Sequence, residues 1–575
     1  MTGNTQPATM AAGFFSSLLF VASFASLPMS SSQAESSEQA ARPAAPHAAT
    51  AHGDAGAAPS RRPVKPGFVL ATASAMCALI VLDTNVVAVS LPSIARSFQA
   101  SFADVEWVVS AYMVAFASCL LPAGALADRF GRKRMLLLGL AVFFLASLGC
   151  GLAPSVTVLN VSRALKGVGA ALLLTAALAV IANTFHAGPA RVRAWAVWGT
   201  CMGLATTVAP LIGGMITQWF GWRWIFLFNL PVCTVLALCA LRAIRESRNP
   251  DAGPVDIAGS ALFGAALALA IWALIEAPTA GWASLATAAR CGASVLLFVG
   301  FVWVQRVRQH AMVDLTLFTQ PRFVAAVLAM FGYAACAQVM MTFLPLYLQN
   351  AFGLSAIAAG MGMLPFALAM VVGPHLGAAL AKRQSALSLL STGLLMIGVG
   401  NLVTALCAAP FAGDAHYAFV AVGMVITGLG AGVLNGDTQK AIMACVPAHR
   451  TGMASGISTT TRFTGIVSAV GVLGAVLAAR THSVFDARPE VTPALRSGLD
   501  AGFMSRVLSG DIAGATAHLS PAAGAALRSA AHFSFASGFA AALYLAGLAA
   551  IAMAIGVRVL AGRATPAHVS GVVVE

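Results

Sequence analysis

The chain runs to 575 residues, 59% of them hydrophobic and 9% charged, with a mean hydropathy of +0.85 and a formal net charge of +14. A water-soluble domain carries roughly a quarter of charged residues, and a chain this apolar lacks the polar cover a globule needs in water. Soluble enzymes, nucleic-acid readers and disordered scaffolds are excluded together, because the basic residues sit in short gaps between apolar runs, where a membrane protein keeps them.

In chain order, residues 1–66 form an extension. Its stretch 11–29 is apolar but lacks a basic leader, and 31–66 is rich in Ala, Pro, Ser and Gly; this composition predicts a disordered or dispensable segment. A helical span needs about 20 apolar residues. Such stretches fall at 68–92, 105–126, 135–153, 156–181, 194–216, 222–241, 256–276, 287–304, 323–348, 355–381, 385–409, 417–445, 452–479 and 534–557. Every second loop is basic: Arg129 to Arg134, then Arg191 and Arg193, then Arg242, Arg245 and Arg248, then Arg306, Arg308 and Arg322, then Lys382 and Arg383, then Arg450, then Arg558 and Arg563. The alternation predicts an even number of spans with both termini in the cytoplasm. The long loop 480–533 carries mixed charge and falls outside, with an Ala/Leu spacing that suggests short amphipathic helices.

A faint repeat divides the chain. Leu126-Ala127-Asp128-Arg129 follows the second span and Leu380-Ala381-Lys382-Arg383 follows the tenth. Two six-helix bundles, 67–245 and 322–560, with two inserted helices at 255–305 and a tail at 561–575, place these turns in register; transporters are commonly built from such repeats. The ten cysteines lie inside apolar segments without a CxxC pair, so neither a disulfide frame nor a metal site is expected.

At Gly124-Ala125-Leu126-Ala127-Asp128-Arg129-Phe130-Gly131-Arg132-Lys133-Arg134 the chain resembles the signature of the major facilitator superfamily, with every motif position filled. Leu82-Asp83-Thr84-Asn85-Val86-Val87-Ala88-Val89-Ser90-Leu91-Pro92 is similar to the first-span motif of that superfamily's drug:proton antiporters with fourteen spans, though Asn85, Ala88 and Ser90 depart from it. Leu159, Arg163, Gly167, Gly169 and Ala170 follow the fourth-span pattern, with Lys166 in place of glutamine. Ala205-x-x-x-Ala209-Pro210-x-x-Gly213-Gly214 resembles the fifth-span antiporter motif with its first two glycines replaced by alanine. Trp222 to Pro231, Asp256 with Gly259, Leu344 to Gln349, and Gly452 to Gly456 with Arg462 and Gly465 fit as well. The likeness runs from about residue 68 to 560. It implies an all-α membrane protein of the major facilitator fold with fourteen spans. It also implies a gate latch on the cytoplasmic side at Gly124, Asp128, Arg129, Gly131 and Arg132. Pro210, Gly213 and Gly214 would be a hinge that limits leak and accompanies exchange; an ordinary kinked, closely packed helix is the plainer alternative.

Charges inside the spans need a partner or a purpose, since one at mid-membrane costs at least about 2.5 kcal/mol. Counted at about 1.5 Å per residue, Asp83 and Arg163 reach similar depth from the outside, with Lys166 one turn further on the same face of its helix. A carboxylate that ionises beside cations and holds a proton without them suits proton coupling; a static packing bridge is the alternative. In the second half, Asp437 and Lys440 on the twelfth span and Arg462 on the thirteenth serve equally as a structural ion pair or a coupling site. Glu106 and Glu276 lie at span ends and read as interfacial. Trp107, Tyr112, Trp195, Trp198 and Tyr347 are placed either to line a cavity or to pack.

These readings converge on a secondary exporter in a bacterial inner membrane. It would exchange protons for lipophilic, often cationic drugs as a monomer, with the proton-motive force in place of a cofactor. The rival reading within transport is a narrow exporter of one metabolite, siderophore or antibiotic. A membrane-embedded enzyme is disfavoured: no P-loop and no HExxH spacing is present, and the eleven histidines form no catalytic or metal constellation.

Overall fold

A computed structural model describes residues 65–563 apart from 186–187, 249–255, 309–312, 339, 409–414, 447–450, 493–494, 496–498, 500–501 and 517–518. The extension 1–64 and the tail 564–575 lie outside the described residues, as does Arg450. Among the described residues, fourteen helices are long and apolar enough to cross a membrane. They are α1 Pro66–Phe98, α2 Phe102–Phe130, α3 Arg132–Gly151, α4 Val156–Thr184, α5 Arg193–Trp219, α6 Trp224–Ala243, α7 Ile257–Ala277 and α8 Leu285–Val307. The second half adds α9 Pro321–Phe352, α10 Ala356–Leu380, α11 Ala386–Ala408, α12 Tyr417–Ala444, α13 Gly456–Asp486 and α14 Pro521–Arg563. One end of the bundle carries the Asp128 turn and the other basic connections; the opposite end carries the segment between α13 and α14.

Helix ends follow local chemistry. Ser101 caps α2 in a capping box with Asp104, and Asp256, Ser284 and Ser355 cap α7, α8 and α10 by accepting backbone N–H bonds. Breaks inside spans also have causes. Helix α6 consists of Trp224–Leu227 and Asn229–Ala243, where Pro231 cannot donate to the preceding turn. Helix α9 passes through a π turn at Ala334–Gln338, and the buried amide of Asn401 on α11 donates to Cys336 O at 2.8 Å, partnering a carbonyl of that widened turn.

The segment expected as a loop at 480–533 is shorter than its composition suggests. Helix α13 continues to Asp486 and α14 begins already at Pro521. Ala-rich sequence at 521–533 has high helix propensity, and it buries Leu527, Ala530 and Ala531 against Phe485, Val491 and Val507. Between them lie two short helices, Phe503–Ser509 and Ile512–Ala515. Together these form a small apolar cap of their own.

The two halves pack alike. In the first, Gly139 of α3 and Gly169 of α4 bring those backbones together, and Gly167 of α4 lies on Tyr112 O of α2. In the second, Gly400 of α11 and Gly423 of α12 do the same, and Gly428 of α12 lies on Phe366 O of α10. Small residues permit this because helices in lipid associate by close van der Waals packing. The inserted α7 touches both halves, through Gly264 against Ser118 of α2 and Leu274 against Gly471 of α13. Helix α8 packs mainly on α7 and leaves Leu296 and Val299 exposed, as a lipid-facing helix would.

Candidate functional site

Three helices meet at Asp83. It lies midway along α1, and Oδ2 accepts from Arg163 Nη1 of α4 at 3.0 Å. Its Oδ1 accepts from Lys166 Nζ of α4 at 2.5 Å and from Asn229 Nδ2 of α6 at 2.9 Å. Both ion-paired cations and the carboxylate are at most 1% exposed. The guanidinium also donates from Nε to Val108 O at 2.8 Å and lies 4.3 Å from the Tyr112 ring centre. The Lys166 ammonium lies 4.6 Å from Phe143 and 4.9 Å from Phe226. Cation–π contacts of this kind strengthen once water is removed.

Two cations around one carboxylate give the buried cluster a formal charge of +1. Burial of ions is repaid only by close geometry and further hydrogen bonds, and here Asp83 has three donors. A void of about 30 Å³ between α1, α5 and α6, lined by Leu79, Val86, Ile212, Phe228 and Asn229, reaches the carboxylate. That is about the volume one water takes up in the liquid, and the lining is apolar apart from Asp83 and Asn229. The cluster therefore combines a held negative charge with a minimal water-sized approach.

The fifth-span residues form a seal between the halves. A Cβ at Gly214 of α5 would come within 2.5 Å of Ala356 O of α10, and one at Gly360 of α10 within 2.7 Å of Pro210 O. Gly213 instead faces Val86 of α1, where Ser90 and Thr217 bridge the same two helices at 2.5 Å. Ala205 and Ala209 are buried, so their methyl groups are accommodated. At the same opposite end, Gln349 donates to Val89 O at 3.0 Å, and the cap reaches across the halves. There Arg96 donates to Gly510 O and the Phe102 N–H donates to Ser505 Oγ at 3.0 Å. The opposite end is shut.

At the basic end Gly124 has open space around it, while Asp128 accepts from Arg132 at 2.9 Å within one turn. Arg129 lies over Phe130. Gly131 adopts φ +112°, a conformation that favours glycine, and a Cβ there would strike the Glu246 carboxylate. Glu246 accepts the N–H groups of Lys133 and Arg134 at 3.0 and 3.1 Å, placing an anion on the N-terminus of α3. The charges of the second half stand apart from this picture. Asp437 is a quarter exposed and pairs with the exposed Lys440 at 2.8 Å on its own helix, and the Arg462 guanidinium lies 5.7 Å from the Tyr333 ring centre.

Sequence reasoning missed three residues. Asn229 stood inside a matched motif without a role. Glu246 follows α6 among arginines and gave no signal. Glu106 read as interfacial, yet its side chain is buried because α13 covers it through a glycine at 474. Of the aromatics, Tyr112 packs on Arg163, Tyr347 stacks on Phe539 at 4.2 Å, and Trp195 meets Trp198 edge-on. Among the described residues no group of three metal-ligating side chains is present.

A repeated six-helix bundle with a charged cluster sunk in its core and a seal at one end is the architecture of a secondary transporter. The family model of the Major Facilitator Superfamily matches residues 73–472, and the chain belongs to that superfamily. It is 34% identical over 401 residues to the multidrug resistance protein Stp of Mycobacterium tuberculosis, covering 70% of this chain and 74% of that protein. Identity to the multidrug efflux pump LfrA of Mycolicibacterium smegmatis is 32% over 76% of this chain and 85% of that one. The tetracenomycin C resistance and export protein of Streptomyces glaucescens matches at 31% over 71% and 75%. Among solved structures, a bacterial homologue of the human lysosomal transporter Spinster, inward-facing and unoccupied, superposes with a TM-score of 0.60 at 16% identity. That match covers 87% of this chain and 99% of the other, and it speaks to the fold.

Proposed function

We propose that this chain is a proton-coupled exporter of lipophilic, often cationic drugs or biocides, working by alternating access as a monomer in a bacterial inner membrane. Relatives named for multidrug resistance and drug export support the substrate class. Basic loops at the Asp128 end support a cytoplasmic position for that end and both termini. The sealed end then faces outward.

The observation that carries the coupling is the buried contact of Asp83 with Arg163, Lys166 and Asn229. In this arrangement Asp83 is the anion that holds two cations. When the seal of Pro210 and Gly214 against α10 parts, water from outside reaches the cluster and a proton binds Asp83. Its negative charge is lost, Arg163 and Lys166 are released from it, and the helices that carry them are free to shift. After return to the closed-outside state, arrival of a cationic drug from the cytoplasm favours loss of that proton inward. Asp437, Lys440 and Arg462 supply the charges of the second half along the path, and the Asp128–Arg132 turn sets the gate at the cytoplasmic end. No cofactor is required, because the proton gradient supplies the energy.

The test is efflux from inverted vesicles against a chemically varied panel of compounds. Imposing a pH gradient should drive uptake of several unrelated lipophilic cations, and collapsing it should stop uptake. Gradient-independent movement would refute proton coupling, and transport of a single compound would refute the broad substrate class.

A further inference from the structure

Four acids are buried among the described residues: Asp83 belongs to the coupling cluster, Asp256 pairs with Arg308, Asp511 caps its own short helix, and Glu106 is the fourth. It lies four residues after the start of α2, at the sealed end, and is 5% exposed. Its Oε1 makes no hydrogen bond. The carboxyl group occupies space that a Cβ at Gly474 of α13 would fill, and the Phe343 ring of α9 lies against the same spot. Helix α2 belongs to the first half and α13 and α9 to the second, so the acid is shut inside the joint between halves.

The charged groups on the surrounding helices are engaged elsewhere or exposed. On α4, Arg163 and Lys166 bind Asp83 of α1. On α7, Glu276 pairs with Arg290. On α13, Arg462 lies over Tyr333, while Arg480, His482 and Asp486 are exposed near its far end. Arg96 of α1 bonds Gly510 O, Asp511 caps its own short helix, and Asp104 caps α2. The short helix carrying Arg506 and the end of α3 touching α2 add no partner, and no residue of α9 at 340–352 is charged. None of these groups forms an ion pair or hydrogen bond with Glu106 Oε1. A bare carboxylate in such a place is too costly to bury; a neutral carboxylic acid is not.

We propose that Glu106 is a second proton-binding site, placed on the outer gate: the gate closes on the protonated acid and releases its proton to external water when it opens. This rests on the orientation given under Proposed function, but its role differs from that of Asp83. A proton taken from outside on closing and returned outside on opening carries no net charge across the membrane. It makes closure depend on external pH, so acid outside favours the step that follows drug release. One proton shifts the closed-to-open ratio by at most about tenfold per pH unit.

The experiment uses purified full-length protein in lipid nanodiscs, with spin labels carried on introduced ketone side chains at positions 220 and 482. The closed fraction of the outer end is titrated between about pH 8 and about pH 5. Wild type should close progressively as the pH falls. Glu106→Gln, which mimics the neutral acid, should be closed throughout and lose the slope, whereas Gly203→Ala, whose methyl group meets no atom within 4 Å, should retain it. Infrared spectra of the closed protein should contain the carbonyl band of a buried carboxylic acid that Glu106→Gln lacks. An unchanged titration in Glu106→Gln, or survival of that band, would overturn the assignment. Loss of gradient-driven efflux in wild type would refute proton coupling instead, and the gate titration in purified protein is read independently of it.

Discussion

Gly214→Ala isolates the seal between halves. The new Cβ would lie 2.5 Å from Ala356 O and 3.0 Å from the adjacent carbonyl carbon, both backbone atoms that no rotamer can move. The helices α5 and α10 must part for it. Overpacking of a tight contact costs about 1–3 kcal/mol, and about 2 kcal/mol, spent only in the closed-outside state, shifts the open-to-closed ratio by about 30-fold. Gly360→Ala attacks the same seam from the other side, against Pro210 O. Two controls lie on α5 itself. A methyl group on Gly203 would meet no atom within 4 Å, so Gly203→Ala should be silent. Gly213→Ala presses on Val86 within the first half and should reduce stability without opening the seam. Pulsed distance measurements between labels on the outer ends of α5 and α10, with passive proton leak in liposomes, read the effect. A closed population and leak equal to wild type in Gly214→Ala would refute the role of this seam.

Arg163→Ala should abolish gradient-driven export and lower the thermal midpoint, since breaking a buried ion network costs about 3–5 kcal/mol. Arg163→Lys should recover only part of the activity, because the planar fork that reaches both Asp83 and Val108 O is lost; full efflux by the alanine variant would reduce Arg163 to a packing residue. At the other end, Asp128→Asn removes an ion pair whose carboxylate is 41% exposed. Such pairs contribute at most about 1 kcal/mol, so expression should survive while efflux falls, and normal efflux at normal expression would remove the latch role. Glu246→Gln should speed hydrogen exchange at the Lys133 and Arg134 amides, and unchanged exchange would show that its charge does not order that turn.

Much of this architecture can be read directly from hydropathy. Spans register because each must present about 20 apolar residues to lipid, and the meeting of Asp83 with Arg163 and Lys166 follows from depth counting along helices of fixed rise. Partners supplied by a third helix escape such counting. Asn229 reaches Asp83 from α6 at 2.9 Å, and no one-dimensional pattern places an amide across a bundle. Glu106 misled for the same reason: four residues into a span it looks wet, and only the packing of α13 through Gly474 makes it dry. Helix ends beyond the membrane were illegible to hydropathy as well, since Ala-rich helix at 521–533 is no more apolar than a loop of similar composition.

Drug-evoked proton release from purified protein tests the central claim that Asp83 carries the coupled proton. Addition of a lipophilic cation should release protons from wild type, and Asp83→Asn, fixed in the neutral form, should still bind the compound yet release none and fail to use a pH gradient in vesicles. Wild-type release and gradient-driven efflux persisting in Asp83→Asn would contradict the account and move the coupled proton elsewhere.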